Sequence, residues 1–242
     1  MQHSPLAQFE VKTLIPIDFA GFDASFTNAS AFMVAIVALI SIFVIGGMSK
    51  ASAVPSRWQS MVELTYEFIS GMLHDSAGRE ARQFFPFVFS IFMFILVANL
   101  MGMIPYTFTV TSHIAVTFAL AAVIFIGVTV LGFINNGMGF LKLFVPTGIP
   151  MALVPLLVVI EFISYLSRPI SLSVRLFANM MAGHTMLKVI AGFVGTLGVA
   201  GVIPFAFITA LTGLEIIIAI LQAYVFAMLT CIYLNDAYHP SH

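Results

Sequence analysis

Residues 31–48 carry no charged side chain. About twenty consecutive apolar residues suffice for an α-helix to cross the roughly 30 Å hydrocarbon layer of a bilayer. Further apolar runs occupy residues 84–104, 113–135, 150–197 and 205–234. Composition points the same way: 8% of the chain is charged and 61% hydrophobic, where a soluble domain carries about 25% charged residues. The fold class expected is therefore an all-α polytopic membrane protein. A single cysteine, Cys231, lies in an apolar run, which excludes a disulfide framework and a thiolate metal cluster. No metal and no cofactor is expected. The N-terminus has no basic segment before a short apolar core, so insertion is expected through the chain's own spans.

Residues 1–28 are polar enough to lie outside the membrane, with Glu10, Asp18 and Asp23 against Lys12. Asn28 and Ser30 are candidate helix caps before a first span at 29–48. Lys50 and Arg57 follow it. The basic flank belongs on the cytoplasmic or equivalent side, which puts the N-terminus outside and the C-terminus inside. Residues 56–78 differ. Trp58, Met61, Val62, Thr65, Ile69 and Met72 recur at helical spacing, while Glu63, Glu67, Ser70 and His74 line the other side. Such a helix is too polar to span and is expected at the inner interface; packing on a soluble partner is the alternative. Residues 84–135 form a span hairpin with a polar outer turn at 105–112. Residues 135–142 read as an inner loop.

Residues 149–234 complete a single membrane domain with two long helices. Apolar residues from 150 to 197 would make about 70 Å of helix, more than twice an upright span. No turn signal divides them, and Pro155 and Pro169 can kink a helix without ending it. One long, strongly tilted helix is expected, with two shorter spans as the alternative, then a glycine-rich turn at 192–204 and a second helix at 205–234. Residues 235–242 read as a polar inner tail.

Glu161, Arg168, Arg175, His184 and Lys188 interrupt the first of these helices. Arg175 is the sharpest of them, because a guanidinium stays charged at any accessible pH. A charge at the bilayer centre costs at least roughly 2.5–3.5 kcal/mol. At about 100° per residue, Glu161, Arg168 and Asn179 share a face with Arg175, whereas His184 points the opposite way, so the two faces should not meet one partner. Glu215 and Gln222 share a face of the last helix, with Tyr233 farther along. An acid and an imidazole at comparable depth on adjacent helices suit a proton relay. A fixed positive charge cannot relay a proton but repels one. Blander roles suit the rest: Arg168 as a partner of Glu161 or a snorkelling side chain, Lys188 as a snorkeller, His113 as an interfacial residue.

Residues 169–184, PISLSVRLFANMMAGH, resemble the signature around the essential arginine of subunit a of the F-type ATP synthase. Residues 99–105 (NLMGMIP), 155–161 (PLLVVIE) and 221–230 (LQAYVFAMLT) follow the same family. The resemblance extends over 30–236. It implies that Arg175 takes the arginine's place, Asn179 that of a nearby asparagine and Gln222 that of a glutamine on the last helix. His184 and Glu215 take two relay positions, in the histidine-first order of the mitochondrial type and its bacterial relatives. It also implies one upright span, a surface helix, a two-span hairpin and two long tilted helices. The implied partners are a ring of c subunits, the peripheral-stalk b subunits, the rest of the complex and the lipid bilayer, with no nucleic acid. The location would be a bacterial or mitochondrial inner membrane.

The function expected is a non-catalytic proton channel with two offset aqueous half-channels. The outer one reaches Glu215 and His184, Glu161 lines the inner exit, and Arg175 separates them. An ion-coupled secondary transporter would need an internal repeat, and the two halves of the chain do not resemble each other. A haem-bearing subunit would need facing axial histidines within the membrane, and only His184 is well placed.

Overall fold

The computed structural model describes residues 10–16, 18–19, 22–23, 25–49, 51–104, 107–144 and 153–238. Expectations placed on Lys50, on Pro105 at the outer turn, on Pro150 at the start of the long helix and on residues 239–242 lie outside these. Helices dominate: α1 (Asn28–Met48), α2 (Arg57–Ala77), α3 (Phe85–Gly102), α4 (Ile114–Asn136), α5 (Val154–Thr196) and α6 (Val202–Tyr238). All but α2 are long and apolar enough to cross a membrane. The chain is an all-α polytopic membrane protein.

The N-terminal segment holds short antiparallel pairs that its sequence did not announce. Thr13–Ile15 (β1) pairs with Phe26–Thr27 (β4), and Asp18–Phe19 (β2) with Phe22–Asp23 (β3). The cap of α1 is Thr27, not Asn28 or Ser30: its hydroxyl accepts from the Ser30 N–H at 3.4 Å. Asn28 instead stitches the two segments. Its amide oxygen accepts from Lys12 N–H at 3.0 Å and its amide nitrogen donates to the Glu10 carbonyl at 3.0 Å.

The amphipathic helix α2 begins at Ser56, whose hydroxyl accepts from Gln59 N–H, and stops at Gly78, where φ is +71°. Its buried stripe is Gln59, Val62, Ile69, Met72, Leu73 and Ala77, packed on α1, α3 and α6. Trp58 and Met61, expected on the apolar face, are exposed. Trp58 lies at the junction with α1, where its indole N–H donates to the Phe43 carbonyl at 3.0 Å and its ring leans on the Phe43 ring. Gly47 lets the two helices meet there, since a Cβ on it would lie 2.6 Å from Val62 Cγ2 and 2.9 Å from Trp58 Cδ1.

Helix α6 is the hub, packed against α2, α3, α4 and α5. Ala219, Ala223 and Ala227 recur every fourth residue and are wholly buried, with Phe226 and Cys231 beside them. Small residues at this spacing let helix backbones approach closely where hydrocarbon gives no hydrophobic drive between helices. The expected bounds of α6 prove short at both ends. Its first turn includes Pro204, which costs nothing where no intrahelical N–H partner exists. Its last turn takes in Asn235–Tyr238, where the sequence predicts a tail. Asn136 explains that turn by donating to the Ala237 carbonyl at 2.6 Å, and Gln83 reaches the Tyr238 hydroxyl. The inner loop after α4 is likewise ordered, as a 3₁₀ segment Gly137–Phe144. Phe140 fills the space over Gly132.

Helix α5 is a single helix of 43 residues, continuous through Pro169. Its length, about 64 Å, is twice the hydrocarbon thickness. The turn to α6 is tighter than residues 192–204 suggested. Gly192 and Gly195 stay helical, and the chain reverses at Leu197–Gly201, with Gly198 at φ +56° and Gly201 against the Val194 carbonyl.

Gly47→Leu should force α1 and α2 apart, an over-packing that costs about 1–3 kcal/mol. The expected outcome is less folded chain in the membrane and a lower unfolding temperature in detergent. Wild-type levels and stability would show that the contact at Trp58 does not hold α2 in place.

Candidate functional site

Of the polar residues singled out in the sequence, Asn179, His184, Glu215 and Gln222 gather between α5 and α6. The buried stripe of α5 runs through Leu172, Leu176, Met180 and His184. Arg175 lies off this stripe and is exposed on the outside of the chain. Asn179 borders the stripe, and its amide N–H donates to Gln222 Oε1 at 3.3 Å. Gln222 is buried, and its Nε2 has no partner among the described residues.

One turn farther along α5 comes the tightest contact of the site. The Glu215 carboxyl lies directly over Gly183, and a Cβ there would run into Oε1. Glu215 and His184 are each 8% exposed, and the carboxyl lies over the residue that precedes His184 in the chain. His184 Nε2 is 2.6 Å from the Gly102 carbonyl at the end of α3. A carbonyl can only accept, so Nε2 carries the proton in the neutral ring and Nδ1 is left as the basic nitrogen. Nδ1 of His184 and Oε2 of Glu215 have no partner among the described residues. The pair thus keeps one free proton-accepting atom on each side chain. Asn99 of α3 is fully buried behind it, donating to the Ala219 carbonyl of α6 at 3.3 Å.

This geometry revises the reading of two faces with different partners. One face of α6 meets both, Gln222 touching Asn179 and Glu215 lying against Gly183 and beside His184. Asn179 and Gly183 are a turn apart on α5, so the seam includes them and His184 sits at its inner flank. Arg175 does point away from His184.

Arg168 is paired, but not with Glu161. Its Nη1 lies 3.0 Å from Asp236 Oδ2, and its guanidinium sits 5.6 Å from the Tyr165 ring and 5.5 Å from the Tyr233 ring. Tyr165 is fixed in turn by a 2.7 Å hydrogen bond with Thr129 of α4. This clasp closes α4, α5 and the last turn of α6 together. Sequence reasoning missed Asp236 because it ended α6 at Leu234. The signal was present: Asp236 follows Gln222 by two heptads and so shares its face. Gly183 and Gly102 were missed as site residues, since a missing side chain and a carbonyl acceptor leave no chemical mark in a sequence; Asn99, an amide inside an apolar run, was read only as part of the 99–105 stretch. Glu161 is half-buried, about 21 Å along α5 from Arg175, and is not brought near Glu215 or His184. Lys188 lies one turn beyond His184, half-buried.

Asp236→Ala should leave Arg168 without its acid in a half-buried site, at a cost of about 1–2 kcal/mol once solvent screening is allowed for. A lower unfolding temperature for the detergent-solubilised chain is expected, with the difference shrinking at high salt. No change at low salt would mean that the aromatic contacts alone hold the clasp.

Comparison with known proteins bears on what this arrangement serves. Residues 30–235 match the family model described as ATP synthase A chain. A protein of Chelativorans named ATP synthase subunit a is 61% identical, with 100% of both chains covered. Another of that name from Parvibaculum lavamentivorans is 60% identical over 98% of this chain and 94% of its own length. A third, from Pelagibacter ubique, is 60% identical over the whole of both chains. With a family model matching residues 30–235 and relatives this similar over nearly their whole length, the chain belongs to the ATP synthase A chain family, the a subunits of F-type ATP synthases.

Proposed function

We propose that this subunit is the stationary, non-catalytic proton path of the complex, loading and unloading carboxyl groups on a rotating ring of c subunits. The observation that carries the reading is the buried Glu215 carboxyl lying over Gly183, next to the buried His184, with His184 Nδ1 and Glu215 Oε2 unpartnered among the described residues and a fixed charge exposed farther along the helix that carries His184. A proton arriving by an outer aqueous half-channel binds at this pair. It passes to a ring carboxylate, which becomes a neutral acid and can enter lipid, where an ionised one could not cheaply go. After nearly a full turn the acid meets an inner half-channel near Glu161. There the positive field of Arg175 favours the carboxylate, and the proton leaves inward. The Asn179–Gln222 hydrogen bond holds the seam between the relay and the arginine.

The exposure of Arg175 supports this division of labour. A guanidinium facing outward from the chain is placed to meet a partner's carboxylate rather than an acid of its own chain. It lies about 14 Å along α5 from His184, so it can stand between two water paths without contacting the relay. Each charge crossing 100 mV supplies about 2.3 kcal/mol, and a leak past the arginine would waste it. The positive-inside rule places the N-terminus outside and the tail of α6 inside. The b subunits of the peripheral stalk would hold the chain against the torque.

Arg175→Ala should abolish proton-driven ATP synthesis in membrane vesicles while the complex still assembles. Arg175→Lys should fail too, because an ammonium is compact, strongly hydrated and able to lose its proton. Near-normal coupled synthesis in either variant would sink the assignment.

Glu215→Gln should slow proton entry by roughly a hundredfold. Exchanging the two residues, Glu215→His with His184→Glu, should restore more activity than either single change. If the exchange is no better than the worse single variant, the two do not act as one unit. Gly183→Ala should also impair ATP-driven proton pumping, although no titrating group is altered, because its methyl displaces the Glu215 carboxyl. Unchanged pumping would show that this close approach is dispensable.

A further inference from the structure

Helix α2 and the 3₁₀ turn after it form an elbow whose polar side the proton path does not use. On α2, Tyr66, Ser70 and His74 follow one another at four-residue spacing and so share a face. The helix ends at Gly78, whose φ of +71° turns the chain. A 3₁₀ segment, Glu80–Phe84, comes next. Its opening bond runs from the Arg82 N–H to the Arg79 carbonyl at 3.3 Å. Side chains three apart eclipse in a 3₁₀ turn, so both guanidinium groups fall on one side of it.

Between these two surfaces lies a cavity of about 850 Å³, within the roughly 300–1,000 Å³ range of small-molecule sites. Arg79, Arg82, His74 and Ser70 line it. Among the described residues no acid does, although Asp75 and Glu80 stand next to these residues in the chain. The other wall is apolar: Leu73 is buried, and the Tyr66 and Phe85 rings lean together with centroids 4.5 Å apart. Gly71 leaves a gap on the α2 side, where an added Cβ would meet nothing within 4 Å. The depth of the cavity follows from α3. Phe85 begins an uncharged apolar helix of 18 residues, so hydrocarbon starts there and the arginines just before it lie at the level of lipid head groups. Pro86, in the first turn of that span, also borders the cavity.

We propose that this elbow holds the phosphodiester head group of an anionic phospholipid, with Arg79 and Arg82 gripping the phosphate and Ser70 and His74 donating beside them. Guanidinium forks fit phosphate oxygens in pairs, and basic pockets between membrane helices at this level suit anionic head groups. The glycerol and upper acyl chains then run past Phe85 and Pro86 into the bilayer. Free phosphate is a poorer occupant. It is only a few water volumes in size, at about 30 Å³ each, and leaves most of the cavity and its aromatic wall unused. An acidic segment of a neighbouring subunit would satisfy the arginines but not the apolar wall that leads into hydrocarbon. Bound there, the lipid ties α2 to α3 and fixes the surface helix to one leaflet. None of these residues belongs to the proton path, so neither proposal depends on the other.

The test uses the intact ATP synthase reconstituted in vesicles of phosphatidylcholine carrying a trace of photoactivatable phosphatidylglycerol or, for comparison, photoactivatable phosphatidylcholine. Cross-links are mapped by mass spectrometry. Phosphatidylglycerol should label residues 66–86 about tenfold more than phosphatidylcholine, and excess inorganic phosphate should not displace it. Labelling should fall about tenfold when Arg79→Ala and Arg82→Ala are combined. Gly71→Leu should lower it to a similar degree with no change of charge, because the new side chain grows into the cavity from open space. Leucine also suits a helix better than glycine, so this variant decides the matter if the double arginine variant does not assemble. Equal labelling by the two lipids, or labelling that survives either change, overturns the proposal. Displacement by inorganic phosphate would make this a site for free anions, and labelling that appears only after the peripheral stalk is stripped off would make it a protein contact. Either result overturns the proposal too.

Discussion

Close approach of helix backbones at α6 is the constraint on which the other features depend. The stripe Ala219, Ala223 and Ala227 presents almost no side chain, so α6 can sit deep among its neighbours, and the polar groups it carries reach across short gaps. Glu215 then meets the bare backbone of α5 at Gly183, Gln222 meets Asn179, and Asp236 meets Arg168. In a medium where polar atoms cannot turn to solvent, bringing these groups into contact is what makes them bearable. Larger residues on the stripe would widen every one of those gaps at once.

The two ends of the α5–α6 pair are held in different ways. At the end where α6 finishes, the Arg168–Asp236 ion pair, the two tyrosine rings and the Asn136 bond to Ala237 make a charged clasp. At the level of His184 the contacts are an imidazole N–H to a carbonyl and a carboxyl over a glycine. A clasp of opposite charges resists sliding and rotation, whereas the site at His184 and Glu215 leaves polar atoms unpartnered among the described residues. On the function proposed above, rigidity and titration fall to separate layers of the same helix pair.

The membrane helices were legible because length and lack of charge are properties of the chain itself. The unbroken α5 could be read from the absence of any turn signal, and Arg175, His184 and Glu215 stood out by their cost in hydrocarbon. What stayed hidden depended on partners distant in sequence. Asp236 looked like part of a solvated tail until Asn136 and Arg168 held that turn in place. The β1–β4 pair is continued by the Asn28 side chain's bonds to Lys12 and Glu10, which no periodicity encodes. Helical phase separated Arg175 from His184 correctly, but it could not show that one neighbour spans both, because phase is silent on how wide a contact seam is.

Arg175 has a consequence for biogenesis. With its guanidinium on the outside of the chain, the newly inserted subunit is incomplete in a chemical sense: it presents to lipid a charge that lipid cannot solvate. The chain is therefore worth more to the cell assembled than alone. An orphan copy carries its own mark of being unpartnered, legible to any membrane quality-control system that detects polar surface in hydrocarbon. The same residue that would divide the water paths in the finished motor would, before assembly, set the subunit's lifetime.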